Sequence, residues 1–229
     1  MRLRSVLAGL LLAALFLAAP VQAAGEGGVL ILDPGHGGED GGAVSVDGTP
    51  EAALNWEIAS RCRDLAWFLG LPVVMTRDDY DINYPQEAET TRQRKAADQK
   101  SRLALVNSQE NGILLSIHQN QFTASSVSGP QVFYNPKNGA QDLAERLQSL
   151  LNAQLAPESR RVAAPIPEEI LLTRESSHPA VLVECGFLSN ASEAALLRTP
   201  DYQLQLSLIL IGGYLQHIHL NPEDMDEGE

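Results

Sequence analysis

The chain is short of cations, of cysteine and of long apolar stretches. Lys and Arg total 16 against 29 Asp and Glu, a formal net charge of −13. A chain this acidic does not hold nucleic acid through phosphate contacts, and it is not drawn electrostatically to an anionic cell surface. Only two cysteines are present, Cys62 and Cys185. Export would allow them to oxidise, but one falls on the apolar stripe of an expected helix and the other ends an expected buried strand. Both therefore read as small core residues rather than a disulfide. The apolar run Val6 to Ala19 spans about 14 residues, whereas a bilayer needs about 20. The glycine-rich loop Gly35 to Gly42 has no Lys-Ser/Thr ending and no G-x-G-x-x-G spacing, which argues against a nucleotide cradle. No compact H-E-x-x-H signature, internal repeat or wall-binding module is visible.

What is there begins with an export pattern. Arg2 and Arg4 form a positive n-region, the apolar run follows, and Pro20 breaks it ahead of Val21-Gln22-Ala23. Residues 1–23 read as a signal peptide cleaved after Ala23, giving an exported, extracytoplasmic protein with no stable membrane insertion after cleavage. Losing Arg2 and Arg4 takes the charge from −13 to −15. About 205 residues remain, enough for one domain with a real core. Residues 28–220 form that domain, and 221–229 form an acidic, disordered tail.

Short apolar runs predict strands at Val29–Leu32, Pro72–Thr76, Ile113–Ile117, Gly129–Tyr134, Ile170–Thr173 and Ala180–Val183. Thr49-Pro50-Glu51 reads as a helix start, with Leu54, Ile58, Cys62, Leu65 and Leu69 along one face. Further helices are expected over Thr91–Asn107, Ala140–Leu155 and Asp201 to about His217. Asn190 and Glu193 form a capping-box pattern ahead of Ala194–Leu197. The loop Ala156–Pro167 holds three prolines and reads as irregular. Strands alternating with helices give a three-layer α/β/α domain around a mostly parallel, roughly six-stranded twisted sheet.

In such sheets, sites form beyond the carboxyl ends of the strands. His36 follows the first strand, His118 ends the third, Glu184 ends the last, and Glu51 opens the first helix. Two histidines and a carboxylate are a common ligand set for catalytic zinc, which keeps a position for water and lowers its pKa to about 7. A second carboxylate can take the water's proton and deliver it to a leaving amine. The set suits amide hydrolysis. Each residue also has a plainer reading: Glu51 as an acid favoured at a helix N-terminus, His36 as a surface residue, His118 as a hydrogen-bonded strand end. Glu184 is harder to set aside, because an acid directly after Ala-Val-Leu-Val is costly unless paired or functional. His178 reads as structural or solvent-facing, and His217 and His219 as complements to the last helix's dipole. Asp33 reads as a turn residue.

At these residues the chain resembles the zinc-dependent N-acetylmuramoyl-L-alanine amidases of the amidase-3 type. Ile31-Leu32-Asp33-Pro34-Gly35-His36-Gly37-Gly38 with Asp40-Gly41-Gly42-Ala43 looks like the opening motif, Leu115-Ser116-Ile117-His118 with Asn120 like the second, and Val181-Leu182-Val183-Glu184 with Gly186-Phe187-Leu188-Ser189-Asn190 like the closing one. The likeness runs from Val29 to about Leu215. It implies His36, Glu51 and His118 as Zn2+ ligands and Glu184 as the catalytic glutamate, with peptidoglycan as substrate. Glu51 lies in the least typical motif, and Glu57 is its fallback. Cys185 departs from the usual threonine or valine and is expected to point into the core. Thr76-Arg77-Asp78-Asp79-Tyr80-Asp81 and Gly129 to Tyr134 look most like the spore-cortex amidases of endospore formers, which implies a part in muramic-δ-lactam formation. The Asp78–Asn107 stretch is too short for the occluding plug some members carry, so an open cleft is expected. Arg174 is expected near the rim, where it could meet a substrate carboxylate, although a surface arginine is its plainer reading. Two alternatives stay open on the residues alone: a non-catalytic wall-binding module on the same fold, and a zinc peptidase with the same machinery. Any activator is unknown.

Overall fold

The computed structural model describes residues 28–219. The expected signal peptide and acidic tail lie outside the described residues. Six strands form one sheet: β1 (Leu30–Pro34), β2 (Val73–Met75), β3 (Ile113–Asn120), β4 (Gln131–Tyr134), β5 (Ala164–Pro165) and β6 (Ala180–Phe187), in the spatial order β2-β1-β3-β6-β4-β5. β2, β1, β3 and β6 run parallel, and β4 reverses against β6, with β5 parallel to β4. Among the described residues four helices lie between strands, α1 (Glu51–Phe68), α2 (Thr91–Ser108), α3 (Gln141–Leu155) and α4 (Leu171–Glu175), and two follow the last strand, α5 (Ala191–Leu197) and α6 (Pro200–His219).

The core sits on both faces of the sheet: successive side chains point to opposite faces, and β1 and β6 are buried along almost their whole length. On one face Leu30, Leu32, Ile117 and Val183 pack with Ile58 of α1, Leu147 of α3 and Leu210 of α6. On the other, Ile31, Leu114 and Ala180 meet Val106 of α2 and Leu172 of α4. Cys62 and Cys185 are both fully buried on the larger face. No helix among the described residues is long and apolar enough to cross a membrane.

Local details decide where the site falls. Thr49 does not cap α1: Pro50 occupies the cap position and makes no side-chain bond. The first amides are satisfied by the preceding loop instead, Glu51 N donating to Ala43 O at 2.8 Å and Ala52 N to Gly41 O at 3.0 Å. The glycine loop is thereby folded onto the helix start. At the far end, Gly70 adopts φ +73° and Leu71 N reaches back to Ala66 O, a left-handed helix stop. Thr90 and Gln93 form a reciprocal capping box that starts α2.

Two segments depart from the sequence reading. Ile170–Thr173 is not a strand: Leu171–Glu175 is a short helix, closed by Arg174 N donating to Ile170 O. A four-residue apolar run carries no periodicity that separates the two states. The Ala156–Pro167 loop is not wholly irregular, because Ala164 and Pro165 pair with Phe133 and Tyr134 as an edge strand. Proline is tolerated on such an edge.

Candidate metal centre

Four chain segments deliver the site to one rim of the sheet. β1 runs into Gly35 and His36, the glycine loop returns to Glu51 at the head of α1, and β3 and β6 bring His118 and Glu184. Both strands continue past these residues, to Asn120 and Phe187, so His118 and Glu184 lie within strands rather than after them. They are direct register partners, and a bulge follows His118. Bulges commonly re-aim side chains beside active sites.

Glu51 is almost fully buried and lies between the two imidazoles. Its Oε1 is 3.0 Å from His118 Nδ1 and its Oε2 is 3.3 Å from His36 Nε2. Ala43 N, Gln119 N and the Asn55 amide also donate to it, at 2.9, 3.1 and 3.2 Å. Burial opposes the charge, but the histidine contacts outweigh it and hold the carboxyl well below the usual carboxylate range. His36 carries the complementary shift: burial would lower its pKa, yet Asp40 and Glu51 raise it to about 9.

The ligand atoms of His36, Glu51 and His118 all lie within 4.8 Å of one another, the spacing of groups that can share one metal ion. The backbone is shaped around them. A Cβ at Gly35 would sit 2.2 Å from the His118 ring, and one at Gly42, where φ is +68°, would sit 2.5 Å from Glu51 Oε2. His36 itself holds φ +59°, a left-handed conformation uncommon outside glycine and typical of functional sites. Its Nδ1 lies 3.0 Å from Asp40 Oδ2, too poorly aligned for a hydrogen bond but close enough to attract charge. Lys95 Nζ lies 2.8 Å from the same Asp40 oxygen. The donor set, the buried anion and the glycine clearance fit a divalent ion of the zinc type. The fallback Glu57 is not part of this group; it accepts from Gln203 on α6 at 2.6 Å.

Glu184 differs from Glu51. Its Oε2 is buried and has no hydrogen-bond partner. Burial raises its pKa to about 7, against a lowering pull from His118. A carboxyl tuned to neutral pH can both take and give a proton. The His36 and His118 side chains stay 20% and 18% exposed, so solvent reaches the cluster.

Two supporting residues escaped the sequence reading. Asp33 is not a turn residue: it is 2% exposed and accepts from Thr76 Oγ1 and Ser116 Oγ at 2.6 Å each and from Arg102 Nη1 at 3.0 Å. Arg102, 4% exposed, also donates to Pro34 O at 2.8 Å and to His36 O at 2.6 Å. Arg174 does not reach the rim. It sits on α4, held by Glu175 and the Glu168 carbonyl, and α4 abuts the start of β6 rather than its end. Of the remaining histidines, His217 lies 3.0 Å from Asp142, and His178 is half-buried.

Comparison with known proteins places the chain in a family. A family model described as N-acetylmuramoyl-L-alanine amidase matches residues 30–211. The germination-specific N-acetylmuramoyl-L-alanine amidase of Bacillus subtilis strain 168 is 36% identical over 193 residues, covering 84% of this chain and 80% of the relative. The solved CwlD amidase from Clostridioides difficile, in complex with the GerS lipoprotein, matches with a TM-score of 0.79 and 32% identity, covering 85% of this chain and 100% of that one. An N-acetylmuramoyl-L-alanine amidase from Clostridium difficile 630 gives 0.69 at 29% identity, covering 83% and 96%.

Proposed function

The chain belongs to the N-acetylmuramoyl-L-alanine amidase family, and from that premise we propose that His36, Glu51 and His118 hold a zinc ion and Glu184 carries the proton in the reaction. The reaction is hydrolysis of the amide that joins N-acetylmuramic acid to L-alanine in peptidoglycan. One observation carries the assignment of roles. Three mutually close ligand atoms stand on the same rim as an unpartnered buried carboxyl, and that carboxyl is the direct strand partner of one of the ligands.

Held by His36, Glu51 and His118, a zinc ion would supply Lewis-acid polarisation of the scissile carbonyl and a water activated at neutral pH. The chain's own residues do the rest. Glu51, ionised between the imidazoles, supplies the negative charge of the ligand set. Asp40 attracts the Nδ1 edge of His36 by charge, which leaves Nε2 available as a ligand atom. Glu184 accepts a proton from the attacking water and passes it to the departing L-alanine nitrogen, which needs it to leave as an amine.

The likeness to a germination-specific amidase supports a part in spore-cortex muramic-δ-lactam formation: this enzyme removes the stem peptide, and a separate deacetylase then acts so that the lactam ring can close. The solved complex of a similar amidase with a lipoprotein supports a lipoprotein partner for this chain too. Such a substrate and partner suit an exported protein whose residues 1–23 are removed.

The test is a digest. Intact peptidoglycan is incubated with the protein, with chelator, and with chelator followed by zinc, and the products are read by mass spectrometry. Free stem peptides beginning at L-alanine, lost with chelator and restored by zinc, are expected. Cleavage inside the peptides contradicts the assignment in favour of a peptidase.

A further inference from the structure

We propose that Arg161 forms a subsite for a carboxylate on the peptide arm of the substrate, and so sets the direction in which that arm lies across the sheet. The proposal rests on the amidase reading above. It begins with a row of residues. His118 on β3 is the register partner of Glu184 on β6, and Glu184 is the register partner of Gln131 on β4. Three neighbouring strands therefore present a line that starts at the metal centre and leads toward the β4 edge. At about 4.8 Å per strand, Gln131 lies about 10 Å from His118.

Arg161 stands at the end of that line. Its Nη1 donates to Gln131 Oε1 at 3.3 Å, its Nη2 donates to Ser128 O at 3.3 Å, and its guanidinium carbon sits 5.1 Å from the centre of the Phe187 ring. The aromatic face and the two bonds fix the plane of the fork. Two long hydrogen bonds leave three of its five N–H donors free.

Its charge is also uncompensated. Six arginines among the described residues form ion pairs with a carboxylate; Arg161, like Arg61, Arg77, Arg92 and Arg160, forms none, and of these five it is the one bonded to Gln131. The acid in that neighbourhood, Glu193, spends both oxygens on backbone amides, accepting from Gly129 N at 2.8 Å and from Phe187 N at 2.9 Å. In a chain of net charge −13, an oriented, half-exposed and unpaired guanidinium on the rim of the site is positioned to take an anion from outside.

The spacing names the anion. Extended peptide advances about 3.4 Å per residue, so a distance slightly beyond 10 Å corresponds to a carboxylate two to four residues from the scissile amide. That is the peptide half of the substrate. Its arm would run from the metal centre over β6 and β4, leaving the glycan on the β1 side.

Binding tests this without turnover. The full chain, loaded with zinc, is titrated calorimetrically with a synthetic stem peptide beginning at L-alanine, and with the same peptide bearing carboxamides in place of its carboxylates. The unmodified protein is expected to favour the carboxylate form by roughly tenfold to a hundredfold. Arg161→Gln is expected to abolish that preference, leaving affinity for the carboxamide form and the melting temperature unchanged, and Arg161→Lys to restore part of it. No preference in the unmodified protein, a preference that survives Arg161→Gln, or an equal loss for both peptides overturns the proposal. Failure of the amidase reading shows separately, as an absence of stem-peptide release from peptidoglycan.

Discussion

Arg102 Nη2 donates to the carbonyl oxygen of His36 at 2.6 Å, tying a helix on one face of the sheet to a metal-site histidine held at φ +59°. The same guanidinium holds Pro34 O and the Asp33 carboxylate. An L-residue in this region costs about 1–3 kcal/mol unless its surroundings impose it. Arg102 is the side chain that bonds the His36 backbone in this conformation. Arg102→Lys keeps the charge but loses the planar fork that reaches three acceptors at once. Zinc affinity, measured by competition with a chromophoric chelator, is expected to fall roughly tenfold to a hundredfold. An unchanged affinity would show that the loop holds His36 by itself.

Glu184→Gln removes the proposed proton carrier and leaves the three proposed metal ligands intact. Zinc stoichiometry is expected to stay at the unmodified level, while stem-peptide release falls by about 10²–10⁴. Turnover that survives the change would move the proton transfer to another group.

The Asp33–Arg102 pair makes stability depend on acid. Burial alone would raise the Asp33 pKa, but Arg102, Ser116 and Thr76 hold it below its ordinary value. A depressed folded-state pKa stabilises the fold fully above the unfolded pKa of about 3.9, and that contribution is lost as pH falls through the folded value. Asp33→Asn leaves a buried guanidinium short of its partner and is expected to cost roughly 3 kcal/mol at pH 7. In urea melts across pH, the gap between the two proteins is expected to narrow below about pH 4. A gap independent of pH would mean that packing, not charge, is responsible.

Burial pushes the Cys62 thiol up to about 12 and the Cys185 thiol higher still. Neither is a competent nucleophile in the folded protein. Ellman's reagent is expected to titrate no thiol under native conditions and two in denaturant. A fast-reacting native thiol would place Cys185 in the site instead of the core.

The juxtaposition of His36, Glu51 and His118 was legible in the sequence because their positions follow from strand ends and a helix start, which apolar runs and a proline mark clearly. Glu51 over Glu57 followed from the same rule, since only the first residue of α1 lies at the rim. The supporting network was not legible. Asp33 sits in Asp-Pro-Gly, a local turn pattern, whereas its partners Thr76, Arg102 and Ser116 come from three distant segments. Arg102 lies on a highly charged helix where nothing local distinguishes a buried arginine from a solvated one. Arg174 directly follows Ile170–Thr173, an apolar run that reads as a strand from its sequence alone. Once that run is a helix beside the start of β6, the rim falls to Arg161, in a proline-rich loop held by its edge pairing with β4 and by side-chain bonds from Asn152 and Gln131 to its backbone.

The central claim is that His36, Glu51 and His118 share one zinc ion. The direct measurement is an anomalous difference map from crystals grown with zinc and recorded on either side of the zinc absorption edge. A single strong peak about 2.0–2.2 Å from a nitrogen of each histidine and an oxygen of Glu51 is the result this account predicts. A peak elsewhere, or none at full zinc loading, would contradict it.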